Sequence, residues 1–291
     1  MHEMLRLAVG LLAALTWACA SAATTDTPYV VGDGSDARTY VVSRPDSCQA
    51  DCPLVMYLHG SGPPDPKEKL QPTEIREAHS GIRTNAEANG YVVVLADGVE
   101  RSWNAGRSGS YGRCCGPALE QDIDDVAFLK DVVARVVAAY PIDRTRVYVT
   151  GWSAGCMMAQ RLAAEASDVF AAVACTGGYL MTNQKSLPRP VAVTEIHAFH
   201  DNNVDYPEVT HRTGARENAR RWAELDHCVQ APVPARIGKA SLVQTWDGCA
   251  GGVHVRLVTL ARSGHDTYVN QDDVDIASLV WDSLRDERLH P

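Results

Sequence analysis

Short apolar runs alternate with stretches of helical period along this chain. Arg38–Ser43 (RTYVVS), Pro53–Leu58 (PLVMYL), Tyr91–Ala96 (YVVVLA), Arg146–Thr150, Ala171–Ala174, Val191–Phe199 and Val253–Leu260 have the length and β-branched content of buried strands. Between them lie Thr73–Asn89, Asp122–Tyr140, Ala154–Ala164, Thr213–Leu225 and Asp273–Leu284, which read as helices. The clearest is Asp122–Tyr140. Asp122, Asp124 and Asp125 crowd its positive end, Val126, Leu129, Val133, Val136 and Val137 form one apolar stripe, and Pro141 stops it. Residues before about Val31 are polar and extended, and Arg101–Gly116 is a Gly/Ser/Cys loop without apolar period. Strands that alternate with helices imply an α/β protein with a mostly parallel sheet covered on both faces. Ligands of such sheets bind beyond the carboxyl ends of the strands, which directs attention to His59, Gly151, Phe199 and Leu260.

Composition narrows the class. The 291 residues are 45% apolar and 22% charged, which excludes disordered, collagenous and coiled-coil chains. A net charge of −9 without a basic run longer than two residues argues against a nucleic-acid partner. Residues 1–23 carry Arg6, an apolar run from Leu7 to Trp17 and a small-residue Ala20-Ser21-Ala22 site, the layout of a secretory signal peptide. That run is too short to span a bilayer, and no other segment approaches the length of a membrane span. Loss of Cys19 with the signal leaves eight cysteines, an even count that points to disulfides in an exported protein. The expected organisation is therefore a signal at 1–23 and one catalytic domain over 24–291, secreted to the periplasm or the exterior.

Gly151-Trp152-Ser153-Ala154-Gly155 is a GxSxG between a predicted strand and a predicted helix. A nucleophile on such a sharp turn needs small flanking residues, and the strand–turn–helix context is the one the motif requires. A serine hydroxyl also needs a base. His265, in the loop after the last strand, occupies the late position expected for it; His254 and His227 read as structural. Asp201, two residues after the strand ending at Phe199, is the expected orienting acid, with Asp205 as the fallback. The backbone N–H of Ala154 and that of Ser61, with Gly60 as the alternative, are the expected oxyanion donors. His197-x-x-His200-Asp201 has no third ligand cluster near it, so neither a metal nor a cofactor is expected.

The order of His59-Gly60, Trp103-Asn104, Cys114-Cys115-Gly116, Asp124–Leu129, Gly151–Gly155 with Met157-Met158, His197…Asp201…Val204…Tyr206, and Gly264-His265 resembles the polyhydroxybutyrate-depolymerase-like esterases. That family includes feruloyl and acetylxylan esterases. The resemblance implies an α/β-hydrolase fold, aligns Ser153, Asp201 and His265 with the catalytic triad, and suggests a Cys228–Cys249 bridge. Cys48 and Cys52 are close enough to pair locally, while Cys114, Cys115, Cys156 and Cys175 allow a vicinal bridge or separate ones. The chain departs from the family pattern at Ala154-Gly155-Cys156, Ala198-Phe199, Asp205 and Thr267-Tyr268, around the expected pocket rim. Trp103, Trp152 and Tyr206 are the expected lining of an aromatic-tolerant pocket. The expected activity is hydrolysis of feruloyl or acetyl esters of plant polysaccharide, or of hydroxyalkanoate oligomers, through an acyl-enzyme. A serine peptidase or amidase, and a non-catalytic binding protein on the same fold, are the competing readings.

Overall fold

A computed structural model describes residues 24–33, 37–62, 80–108, 112–207 and 214–289. Residues 1–23, expected to be a signal peptide, and the first part of the helix expected over Thr73–Asn89 lie outside the described residues. The strands are β1 (Thr24–Val31), β2 (Arg38–Pro45), β3 (Cys52–Leu58), β4 (Val92–Ala96), β5 (Gly106–Ser108), β6 (Gly112–Cys114), β7 (Ile142–Gly151), β8 (Ala172–Thr176), β9 (Ala192–Ala198), β10 (Val233–Ile237), β11 (Ser241–Trp246) and β12 (Val255–Leu260). The helices are α1 (Ile82–Asn89), α2 (Gly116–Glu120), α3 (Asp125–Ala139), α4 (Ala154–Glu165), α5 (Ala215–Leu225) and α6 (Ile276–Leu284).

Ten strands form one sheet in the order β1-β2-β4-β3-β7-β8-β9-β12-β11-β10. Its centre, from β4 to β12, is parallel, and an antiparallel pair extends each side. The central strands are buried on both faces, which explains their near-continuous apolar runs. Alternation still sorts them. Leu54, Met56 and Leu58 of β3 join the core formed with α3, α4 and α5, whereas Val55 and Tyr57 join the core under α1 and α6. Two helix starts follow from local chemistry: Asp124 accepts from the Ala127 N–H at 2.9 Å and Asp275 from the Ser278 N–H at 3.1 Å.

The polar, extended segment before Val31 is strand β1, paired along its whole length with β2. Two elements differ from the sequence expectation. The loop Arg101–Gly116 contains the small hairpin β5–β6. Residues 233–246 form the edge pair β10–β11, whose mixed exposure carries no clean alternation, so cross-strand bonding rather than hydrophobic period defines it. The structure pairs Cys48 with Cys52, Cys114 with Cys115, Cys156 with Cys175 and Cys228 with Cys249. A loop of the size closed by Cys228–Cys249 stabilises a fold by about 3 kcal/mol in the chain-entropy account.

Asp226, just after α5, is wholly buried. Its Oδ1 accepts from the Val191 N–H at 3.0 Å, and its Oδ2 has no hydrogen-bond partner. Burial raises its pKa to about 7, against the opposing pull of the Val191 N–H and of the Arg189 charge. An acid whose pKa is higher in the folded than in the unfolded chain stabilises most at low pH, and that contribution is lost as pH rises towards the folded value. Asp226→Asn keeps the oxygen facing Val191 and removes the titration. The variant should melt higher than wild type at about pH 8, by the equivalent of roughly 2–4 kcal/mol, and the two should converge near pH 4. Thermal unfolding across that range measures the difference.

Candidate active site

The carboxyl ends of β3, β7, β8, β9 and β12 converge on one edge of the sheet. Ser153 stands in the turn from β7 to α4 with φ 56° and ψ −120°, a strained conformation for a residue with a side chain. The turn is held by the Ser153 N–H, which donates to the Thr176 carbonyl at 2.9 Å, and by the Trp152 N–H, which donates to the Leu58 carbonyl at 3.2 Å. Its glycines are explained by close approach. A Cβ on Gly151 would lie 2.6 Å from the Gly155 carbonyl carbon and 2.7 Å from the Leu58 oxygen, and one on Gly155 would collide with the Leu58 carbonyl.

Three loops bring the other expected residues to Ser153. His265 Nε2 lies 2.9 Å from Ser153 Oγ, and His265 Nδ1 lies 2.7 Å from Asp201 Oδ2. The second oxygen of Asp201 accepts from the N–H groups of Asn203 and Val204, at 2.9 and 2.8 Å. Burial pushes the Asp201 pKa up, but the hydrogen bond from His265, the Val204 N–H, the His265 charge and the Asn203 N–H together outweigh it and hold the carboxyl below its usual range. Asp201 is therefore ionised at neutral pH, and the proton between it and His265 belongs on Nδ1. Nε2 is then the acceptor facing the Ser153 hydroxyl. Asp205 is placed differently: its carbonyl accepts from the Tyr179 hydroxyl, while Asp201 is the carboxylate at His265.

Of the two expected oxyanion donors, Ala154 directly follows Ser153 in the chain and Ser61 lies in the loop after β3. Ala154 is the first residue of α4, where a helix leaves its N–H groups without intrahelical acceptors. Ser61 follows the β3 terminus. Its loop is braced by His59, whose Nε2 accepts from the Gly98 N–H at 2.9 Å. Nδ1 must then carry the ring proton, and it donates to the Gly60 carbonyl at 2.9 Å. The Trp103 indole N–H donates to the His59 carbonyl at 2.8 Å.

Two of the three expected pocket aromatics are not at a surface. Trp103 is fully buried against His59, because its indole is used to hold the β3 loop from beneath. Tyr206 is buried too, with its hydroxyl 2.6 Å from Thr259 Oγ1 and its ring edge-on to His197. Trp152 remains half-buried beside the site, and its indole N–H donates to the His265 carbonyl at 2.9 Å. Phe199 is the large aromatic that the sequence reading does not assign: it is 48% exposed at the end of β9, next to His200 and Tyr206. Its signal was the bulky residue at a strand end where the family pattern has a small one. Among the described residues no cluster of His, Cys, Asp or Glu is arranged to hold a metal ion, and no helix is long and apolar enough to cross a membrane.

Comparison with known proteins gives the family. Residues 40–200, more than half of the chain, match the family described as Esterase PHB depolymerase. The chain belongs to that esterase family. A curated relative, the bifunctional acetylxylan esterase/xylanase XynS20E of Neocallimastix patriciarum, is 24% identical over 86% of this chain and 33% of its own length. Feruloyl esterase B of Piromyces equi is 27% identical over 64% of this chain and 36% of its own length. The chain thus spans about a third of each of these relatives. Among solved structures, the acetyl xylan esterase from Aspergillus awamori superposes with a TM-score of 0.61, covering 88% of this chain and 98% of that one at 14% identity. That likeness establishes an α/β-hydrolase fold for this family member.

The bracing of the β3 loop gives a test. His59→Ala should leave Gly98 and Gly60 without their ring partner and loosen the loop that carries Ser61. Ester turnover should fall at least about tenfold in kcat, with a smaller change in KM, if that loop presents an oxyanion donor. Steady-state kinetics on p-nitrophenyl butyrate, beside a circular-dichroism check of folding, reads the outcome.

Proposed function

We propose that the protein is a secreted serine carboxylesterase. The observation that carries this is the unbroken hydrogen-bonded chain Ser153–His265–Asp201, with the serine on a strained turn at the sheet edge. His265 Nε2 takes the Ser153 proton as Oγ attacks the ester carbonyl. Asp201 keeps the imidazole in the Nδ1–H tautomer and stabilises the imidazolium that forms. The N–H groups of Ala154 and Ser61 face the developing oxyanion, and His265 returns the proton to the leaving alcohol. Water then enters, His265 deprotonates it, and the acyl-enzyme is hydrolysed. No step requires a group beyond these side chains, backbone amides and water.

The substrate class follows from the family and the rim. Feruloyl and acetyl esters on plant polysaccharide are favoured by the names of the relatives, and hydroxyalkanoate oligomers by the name of the family. With Trp103 and Tyr206 withdrawn into the core, Trp152 and Phe199 offer aromatic surface to an acyl group or a sugar. Export is supported by the signal-like segment at 1–23 and by the paired cysteines. The catalytic unit is one domain over 24–291.

Purified protein and Ser153→Ala should be compared on p-nitrophenyl butyrate, methyl ferulate, acetylated xylan and hydroxybutyrate oligomers. Ser153→Ala should lower kcat by about 10⁴-fold or more on every ester the wild type turns over, and Asp201→Asn should do so by about 10³- to 10⁴-fold. Equal turnover by wild type and Ser153→Ala would remove the nucleophile assignment.

A further inference from the structure

Strand β9 is buried along its whole length at the centre of the sheet, where apolar residues are the rule. It nevertheless carries Glu195 and His197, both with side chains essentially inaccessible to solvent. Two residues apart on a strand, they point to the same face, the one covered by α4 and α5. Their polar atoms are matched. Glu195 Oε1 lies 2.8 Å from His197 Nδ1, and Glu195 Oε2 accepts from the amide of Asn218 on α5. The Asn218 amide also donates to Gln160 Oε1 on α4 at 2.9 Å, and that oxygen accepts from the Trp222 indole at 2.7 Å. Such a network is costly to bury unless every member is satisfied, and it fixes its members in place.

The far side of His197 faces the acid loop. Nε2 lies 2.8 Å from the Val204 carbonyl and 3.5 Å from Asp201 Oδ2. Both are acceptors, so Nε2 carries a proton. Val204 is also the residue whose N–H donates to the other oxygen of Asp201. The imidazole ring is stacked on Tyr179, at 5.5 Å between centroids, and the Tyr179 hydroxyl donates to the Asp205 carbonyl. One imidazole therefore supports, directly or through Tyr179, the segment that holds the carboxylate behind His265.

We propose that Glu195 and His197 form a buried carboxylate–imidazolium pair that positions Asp201 behind His265. This rests on the reading of Ser153, His265 and Asp201 as the catalytic groups; Glu195 and His197 touch no reacting atom and act through Asp201. The titratable groups around His197 are Glu195 on its own strand, Asp201 in the acid loop, Tyr179 after β8 and Tyr206 before α5; α4 and α5 present the neutral amides of Gln160 and Asn218. Burial alone disfavours the imidazolium, but the hydrogen bond and charge of Glu195, the Val204 carbonyl and the Asp201 charge raise its pKa overall. The positive ring, 3.5 Å from Asp201 Oδ2, draws on the same carboxylate that stabilises protonated His265.

Glu195→Gln separates charge from structure. A glutamine oxygen can accept from Asn218 while its NH2 donates to Nδ1 of a neutral His197, and Nε2–H still meets Val204. Every hydrogen bond survives and the ring loses its charge. The pH profile of kcat/KM should keep its plateau within about threefold, while its acid limb moves upward by about half to one pH unit. His197→Ala, which also removes the Val204 support, should lower kcat by about 10- to 100-fold with little change in KM. In parallel, the histidine 15N spectrum of the wild type at about pH 8 should show both ring nitrogens of His197 protonated, a measurement that needs no variant to fold. A neutral His197 ring, or a Glu195→Gln acid limb that superimposes on the wild type, overturns the inference and leaves the esterase reading intact. Wild-type protein without Ser153-dependent ester turnover overturns that reading, and this inference with it.

Discussion

The active edge of this molecule depends on one close approach, that of the start of α4 to the end of β3. Only because Gly151 and Gly155 lack side chains can the turn press against the Leu58 carbonyl. The same contact holds Ser153 at a positive φ, with its hydroxyl at His265 Nε2. It also places the β3 loop, with His59 and Ser61, alongside the serine. In the proposed mechanism, a loosened contact would displace Ser153 and the N–H groups of Ala154 and Ser61 at once. The strain at Ser153 is local, and the parallel sheet behind it is what sustains it.

A second layer lies beneath the loops. In most parallel sheets the central strands are apolar on both faces, yet here Glu195, His197, Gln160 and Asn218 meet between β9 and the helices. The network also reaches the segment after β8, since Gln160 donates to the Gly178 carbonyl and Asn218 accepts from the Leu180 N–H. Cys156 and Cys175 tie α4 to β8 a turn away. The acid loop and the nucleophile helix thus rest on one connected buried platform.

Much of this was legible in the sequence, for identifiable reasons. The central strands and the helix starting after Asp124 could be read because burial on one stripe or both faces leaves a period or an apolar run. Ser153 stood in a motif whose glycines have a steric cause, and His265 and Asp201 followed from chain order at strand ends. The edge pair β10–β11 was not legible, since half-exposed strands with residues such as Pro234 and Gln244 leave no period. Trp103 and Tyr206 were misplaced because an aromatic near a motif carries no mark of whether its ring faces solvent or core; their hydrogen bonds to His59 and Thr259 decide that, and both are long-range. Glu195 was visible as an acid in an otherwise buried run, but its partners on α4 and α5 are remote in sequence.

Trp152 sits between two roles. It is the half-exposed aromatic adjacent to Ser153, the obvious place to reshape the rim for a different acyl group, and its indole N–H holds the backbone of His265. In the esterase reading, a substitution there would change the fit of the substrate and release His265 in the same stroke. On that reading, the aromatic beside Ser153 therefore cannot be exchanged for substrate fit alone. Phe199, 48% exposed at the end of β9, has a side chain that can form no such tether.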